Sequence, residues 1–274
     1  MRAVVLGPRG QIGYELVRCL APFMEVISLG REAAPLDDPD RLKQVIEDAE
    51  PDLVFNAAAY TAVDRAETEK EAAVAANTMA PVALANLGPR VIHFSSDYVF
   101  DGTSEAPYDE DDEPNPPSVY GKTKLGGDYA LLNADSRHLV LRVSWVYGTR
   151  GKNFMLTMRR LGAEGKPLRV VDDQRGAPTW SRMIAQAATF AAISLDPDEP
   201  GGLYHLPAGG ETTWYGFARA ILGEGADITP IPTSEYPTPA PRPANSVLDG
   251  SKFEERFGFT LPDWETQLRM AMEA

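Results

Sequence analysis

The first thirteen residues constrain the fold most. Ala3-Val4-Val5-Leu6 is a short apolar run, and Gly7-Pro8-Arg9-Gly10-Gln11-Ile12-Gly13 follows it directly. A short apolar run closed by glycine reads as a buried strand. Glycines at this spacing allow a tight turn, close approach of backbone N–H groups to an anion, and close strand–helix packing. A helix from there to about Leu20 would turn its free amides and the positive end of its dipole toward a pyrophosphate. Gly7, Gly10, Gln11, Ile12 and Gly13 are therefore candidates for holding a dinucleotide. The spacing is G-x-x-G-x-x-G, a variant of the commoner G-x-G-x-x-G.

The pattern then repeats. Residues 26–29, 53–56, 91–94 and 139–143 read as strands, and 41–50, 67–86 and 120–133 as helices. Such alternation predicts an α/β fold, a Rossmann-like doubly wound parallel sheet with helices on both faces. The second half is less regular and predicts a smaller C-terminal substrate-binding lobe. We place the dinucleotide-binding core at 1–150 and the lobe mainly at 151–274, with segments about 170–190 and 203–225 partly returning to the core. The stretch 230–243 holds six prolines together with Tyr236 and runs into Arg242-Pro243-Ala244-Asn245-Ser246. This reads as an ordered loop packed over a site.

Charge narrows the partners. Lys plus Arg number 26 against 40 Asp plus Glu, a formal net charge of -14. So acidic a chain disfavours non-specific binding to nucleic acid or to anionic membrane. No run approaches the ~20 apolar residues of a membrane-spanning helix. The N-terminal apolar run is also too short for a signal peptide. One cysteine, Cys19, excludes an intramolecular disulfide. The expected setting is the cytoplasm, and the expected assembly is a monomer or a homodimer. The acidic run Asp109–Glu113 reads as a solvated loop, His93 and His205 as structural, and His138 as surface. No His, Asp or Glu cluster has metal-ligand spacing, so no metal is expected.

Chemistry concentrates in two places. Tyr120 and Lys124 are four residues apart, which puts both on one helix face. An ammonium beside the phenol would lower its pKa and let it exchange a proton near neutrality. Ser95-Ser96-Asp97-Tyr98 closes the strand upstream, and the Ser96 hydroxyl is placed to steady a developing oxyanion. Ala58, Ala59, Tyr60 and Thr61, after the strand 53–56, are small enough at the start to let a flat cofactor lie against backbone. An acid ending the second strand would select NAD, and an arginine NADP. Here Gly30-Arg31-Glu32 stands there, so Arg31 points to NADPH, with NADH as the other candidate.

These residues resemble the extended short-chain dehydrogenases/reductases. Asn56 to Asp64, Ser96 to Gly102, Val119 to Lys124, Ser144 to Tyr147, Asp173 to Thr179, Gly202 to Leu206 and Arg242 to Ser246 are similar, in collinear order, to the dTDP-4-dehydrorhamnose reductase family. The resemblance implies an NADPH-dependent reductase acting on a nucleotide-linked 4-keto sugar. It implies catalytic roles for Ser96, Tyr120 and Lys124, with Lys124 also holding the nicotinamide ribose. It implies substrate contacts from Ser96, Asp97, Tyr98 and Trp145, substrate-binding roles for Asn153, Arg175 and Arg242 in holding the dTDP portion or shaping its loop, and an asparagine, Asn77, near the lysine. Leu36 and Asp37 align with an adenine-side pattern, although Pro35 replaces its first acid. Some members hold interface magnesium through acids. Glu15 keeps one such position and Arg182 replaces another, so magnesium is not expected. Two alternatives stay open. One is a reductase, epimerase or dehydratase acting on a different nucleotide-linked 4-keto sugar. The other is a non-catalytic, cofactor-sensing regulatory subunit.

Overall fold

The computed structural model describes residues 1–274. β1 (Arg2–Leu6), β2 (Glu25–Leu29), β3 (Leu53–Asn56), β4 (Arg90–Ser96) and β5 (Leu139–Val143) form a parallel sheet, to which a late strand, Gly202–His205, adds an edge. From that edge the order is Gly202–His205, β5, β4, β3, β1, β2. The chain leaves β1 toward β2 and then crosses to β3 on the other side. The carboxyl ends of β1 and β3 therefore flank the crevice where open α/β sheets take their ligands.

The strands are apolar because both faces are covered. On one face α1 (Gln11–Leu20) and the helix Ser181–Ser194 pack with Val5, Phe55, Ile92, Phe94 and Leu141 into the largest core cluster. On the other, α2 (Pro39–Ala49) and the helices Ala80–Leu84 and Val119–Leu132 supply Leu42, Ile46, Leu84 and Leu131 against Val4, Val54, Val91 and Val140. Each such fully buried aliphatic or aromatic side chain contributes about 1.5–3 kcal/mol.

A third cluster, with Tyr147, Met155, Trp180, Phe217 and Trp264 at its centre, builds a separate lobe. Its framework is three two-stranded pairings: Val146–Tyr147 with Thr179–Trp180, Leu168–Val171 with Ile228–Ile231, and Arg175–Gly176 with Thr212–Thr213. The helix Trp214–Leu222 packs into this lobe rather than onto the large sheet. The stretch expected as one helix over 67–86 is interrupted. Lys70–Val74 and Ala80–Leu84 are α-helical, and Ala75–Met79 between them widens into a π-turn. Such widenings gather at functional sites, and this one carries Asn77. His138 is buried, against the surface expectation. Its Nδ1 accepts from Val91 N at 3.1 Å and its Nε2 lies 3.0 Å from Ala85 O, so the ring ties β4 to the preceding helix.

Candidate active site

The glycine turn after β1 is built to exclude side chains. Gly7 has φ +74°, a conformation glycine adopts without strain. A Cβ on it would sit 3.0 Å from Ala57 O and from Ala58 at the end of β3. A Cβ on Gly13 would lie 2.2 Å from Gly7 O. Backbone thus lines the crevice between β1 and β3, at the N-terminus of α1, which has no side-chain cap of its own. That cradle fits a dinucleotide pyrophosphate. Gln11 Oε1 accepts from Asn153 Nδ2 at 3.0 Å, which links the turn to the lobe, while Ile12 packs on the main core.

At the end of β2, Arg31 is exposed and lies 3.9 Å from Asp37, with Leu36 packed on the core beside it. A second cation shares this corner. The Arg9 guanidinium passes over Gly30, 3.4 Å from where its Cβ would be, and lies 3.9 Å from Glu32. Arg9 was not among the residues singled out in the sequence. The available signal was a side-chain-free position at the strand end facing an arginine in the glycine turn.

Beyond β3, Ala58 packs on the core, Ala59 is half-buried and Thr61 is exposed. Tyr60 is anchored at both ends. Its backbone N donates to Asn77 Oδ1 at 2.9 Å and its hydroxyl to Glu69 at 2.6 Å. Asn77 Nδ2 donates to Tyr60 O and to Thr123 Oγ1, both at 3.1 Å. The π-turn therefore pins the post-β3 loop to the helix Val119–Leu132, one residue from Lys124.

That helix is capped by Ser118, whose side chain accepts from Gly121 N. It approaches its neighbours through glycine. A Cβ on Gly121 would fall 2.1 Å from Tyr98 O, and one on Gly127 2.3 Å from Asn77 O. The contact seats Tyr120 against the turn after β4, with the Tyr98 and Tyr120 rings edge-on at 5.6 Å. Ser96 ends β4 there. Its Oγ donates to Asp97 Oδ1 at 2.8 Å and accepts from Tyr98 N at 3.2 Å. Ser144 Oγ contacts Asp97 Oδ2 and Ser246 O, both at 3.2 Å. Burial lifts the Asp97 carboxyl to about 6, although the surrounding hydroxyls oppose it.

One sequence expectation is corrected. The Tyr120 pKa is raised on balance, not brought down toward neutrality, although Lys124 lies one turn on. The Lys124 Nζ donates to Phe94 O at 2.7 Å and meets His93 Nε2 at 3.1 Å. Burial pushes the Tyr120 phenol above its ordinary range, Ser96 opposes this, and Asp97, Tyr98 and Asp128 reinforce it. Burial also brings Lys124 down to about 8, with Asp128 working the other way. The phenol is thus held protonated, the state a proton donor needs.

The lobe supplies the other wall. Trp145, directly after β5, has φ +46°, a strained backbone for a non-glycine residue costing about 1–3 kcal/mol. Its ring stacks on Trp214 with centroids 3.6 Å apart, and Gly176 leaves room for it. The proline-rich stretch crosses the site as a strap. Arg242 donates to Asp64 at 2.8 Å and to the Tyr98 hydroxyl at 3.2 Å. Arg175 donates to Glu211 at 2.8 Å, and its backbone O accepts from Ser246 N on the strap at 2.8 Å. Asn153 is fully engaged within the chain. It caps the helix Phe154–Ala163 through Leu156 N, and its amide donates to Gln11, Gly148 and Arg150. These contacts make it a brace between lobe and turn. Nor is the acidic run wholly solvated, since Glu110 is half-buried and accepts from His205 N. Glu15, buried on α1, is met by Arg182 at 3.1 Å.

Comparison with known proteins agrees with this geometry. The family described as RmlD substrate binding domain matches residues 1–274. A dTDP-4-dehydrorhamnose reductase of Burkholderia thailandensis is 45% identical, covering 96% of this chain and 95% of that protein. One from Salmonella typhimurium is 41% identical over 97% and 95%. Among solved structures, a dTDP-4-dehydrorhamnose reductase of Clostridium acetobutylicum superposes with TM-score 0.94 at 33% identity, covering 100% and 99%. One from Bacillus anthracis in complex with NADP gives TM-score 0.94 at 28% identity, over 99% and 98%. On these matches, the chain belongs to the dTDP-4-dehydrorhamnose reductase family of oxidoreductases.

Proposed function

We propose that this chain reduces the C4 keto group of dTDP-4-dehydro-L-rhamnose to dTDP-L-rhamnose, with NADPH preferred and NADH accepted. The observation that carries the reading is the meeting of Tyr120 with Ser96 and Tyr98 just after β4, and of Lys124 with Phe94 O near that end of the strand, beside the backbone cradle after β1. It is supported by relatives bearing that name at up to 45% identity over nearly the full length. When bound, the reduced nicotinamide supplies a hydride to the C4 carbon. Gly7, Gly10 and Gly13 would hold the pyrophosphate, the loop Ala58 to Thr61 would line the dinucleotide, and Arg31 with Arg9 would meet an adenosine 2′-phosphate. Lys124 would hold the nicotinamide ribose.

The chain's own groups handle the proton. Tyr120, kept neutral by burial, gives its hydroxyl proton to the C4 oxygen as negative charge grows there. Ser96 orients that oxygen by turning to it the one hydroxyl proton that otherwise goes to Asp97 Oδ1. Lys124, charged below about pH 8, stabilises the phenolate left behind. Asp97, Tyr98 and Trp145 would contact the sugar, and Arg175 and Arg242 would hold or enclose the nucleotide. A dehydratase would need a free acid at the sugar, whereas Asp97 is buried and set among the hydroxyls of Ser96 and Ser144. A purely regulatory subunit would have no use for the buried Lys124 ammonium, since burying such a group costs stability.

The test is Tyr120→Phe with both reduced nicotinamides and the keto sugar generated in place. Turnover is expected to fall by about 100- to 10,000-fold, with cofactor binding and thermal stability unchanged. Full activity in that variant ends the reading. In the unaltered chain, turnover is expected to fall as pH rises through about 8, where Lys124 loses its charge.

A further inference from the structure

The Lys124 ammonium is buried, and its hydrogen-bond contacts include no carboxylate. It donates to Phe94 O at 2.7 Å and lies 3.1 Å from His93 Nε2. The opposite side of that imidazole faces Asn56, whose carboxamide nitrogen is 3.0 Å from Nδ1. Asn56 ends β3, His93 sits in the middle of β4 and Lys124 lies on the helix above, all three with almost no solvent exposure. The sequence reading treated His93 as a structural residue and left Asn56 without a role.

Elementary valence settles the proton positions in this row. A neutral imidazole has one N–H and one lone pair, and an ammonium has no lone pair at all. Burial and the neighbouring lysine charge hold His93 well below the usual histidine range, so the ring is neutral. Nε2 must then accept from the ammonium, which leaves the ring proton on Nδ1. That proton needs an acceptor. The Asn56 Oδ1 is buried with no partner, and a half-turn of the carboxamide exchanges it with the nitrogen facing Nδ1.

We propose that His93 is a positioning residue for Lys124: Asn56 Oδ1 fixes the ring proton on Nδ1, and Nε2 is thereby presented as the acceptor that holds the lysine charged and aimed. The effect on turnover rests on the role given to Lys124 above, whereas the tautomer does not. The titratable groups around this helix face are Tyr120 and Asp128 on the lysine's own helix, Arg142 on β5, and Asp97 and Tyr98 after β4. Asp128 favours the lysine charge but is paired with Arg142 at 3.1 Å. Loss of Nε2 therefore leaves burial less opposed, and the lysine gives up its proton at lower pH.

The test begins with imidazole nitrogen NMR of the whole chain. It has three histidines, so His93→Gln identifies the His93 signals by their loss. The expected result at neutral pH is an uncharged ring protonated on Nδ1. A ring protonated on Nε2, or a charged ring, overturns the proposal. The second readout is the pH profile of kcat. His93→Phe is expected to lose about tenfold or more in kcat, with little change in KM and a basic limb moved to lower pH. His93→Gln, whose carbonyl replaces the acceptor, is expected to recover most of the rate and the limb. Coincident profiles for the two variants overturn the proposal. Should His93→Phe not fold, Asn56→Leu serves instead: it is expected to lose the single tautomer and to move the limb the same way, while Asn56→Asp retains both. An unchanged tautomer in Asn56→Leu overturns the role of Asn56. Lys124→Met separates the two readings. Full turnover in it removes the role of Lys124 in the reaction and leaves the tautomer to be judged by NMR alone.

Discussion

The two ends of the site are made of different material. The cradle after β1 is backbone: Gly7, Gly10 and Gly13 keep side chains out, and a single added carbon on Gly13 would meet Gly7 O at 2.2 Å. The reaction end is made of buried polar side chains: Asn56, His93, Ser96, Asp97, Lys124, Asp128 and Arg142. A backbone site tolerates no added volume. A side-chain site tolerates changes of shape better than the loss of one partner from a charge pair, because the remaining charge is then buried without compensation.

This contrast can be broken at either end. The largest effect is expected at the Asp128–Arg142 pair, which is 3.1 Å apart and nearly solvent-free. Arg142→Met should destabilise the fold by about 3–5 kcal/mol, read from urea unfolding. Adding Asp128→Leu to it should restore most of that loss. If the double variant is no more stable than the single, the uncompensated charge is not the cause. At the cradle, Gly13→Val should weaken NADPH binding by about 100-fold, in line with an overpacking cost of ~3 kcal/mol. Fluorescence titration measures it, with unfolding curves to show that the sheet survives. Retained affinity would mean that the turn can open. The smallest effect concerns the exposed corner at β2. Arg9→Gln and Arg31→Gln should each lower the preference for NADPH over NADH on the order of tenfold, ~1.4 kcal/mol, in kcat/KM. A loss confined to Arg31 would remove Arg9 from the 2′-phosphate reading.

The same contrast separates what could be read from the chain alone. The glycine turn was legible because its constraint is local: a strand, three glycines and a helix within twenty residues. Tyr120 and Lys124 were legible as neighbours because helical spacing puts i and i+4 on one face. What Lys124 faces was not. Phe94 O and His93 Nε2 reach it from β4, some thirty residues away in the chain. Nor was the burial legible that raises the Tyr120 pKa on balance. That the Asn153 amide meets Gln11 was not legible either, because Gln11 reaches it from the first helix, far away in the chain. His138 looked exposed because it follows a polar turn, yet β4 and the preceding helix close over it.

The sequence by itself determined the alternating parallel sheet, the anion cradle and the order of the chemical groups, since each depends on periodicity or on contacts within a few residues. Only the tertiary structure decided which of those groups are charged and what they touch. Desolvation depends on every element packed around a group, and in this site those elements come from β3, β4, β5, the helix Val119–Leu132 and the strap that runs through Arg242 to Ser246.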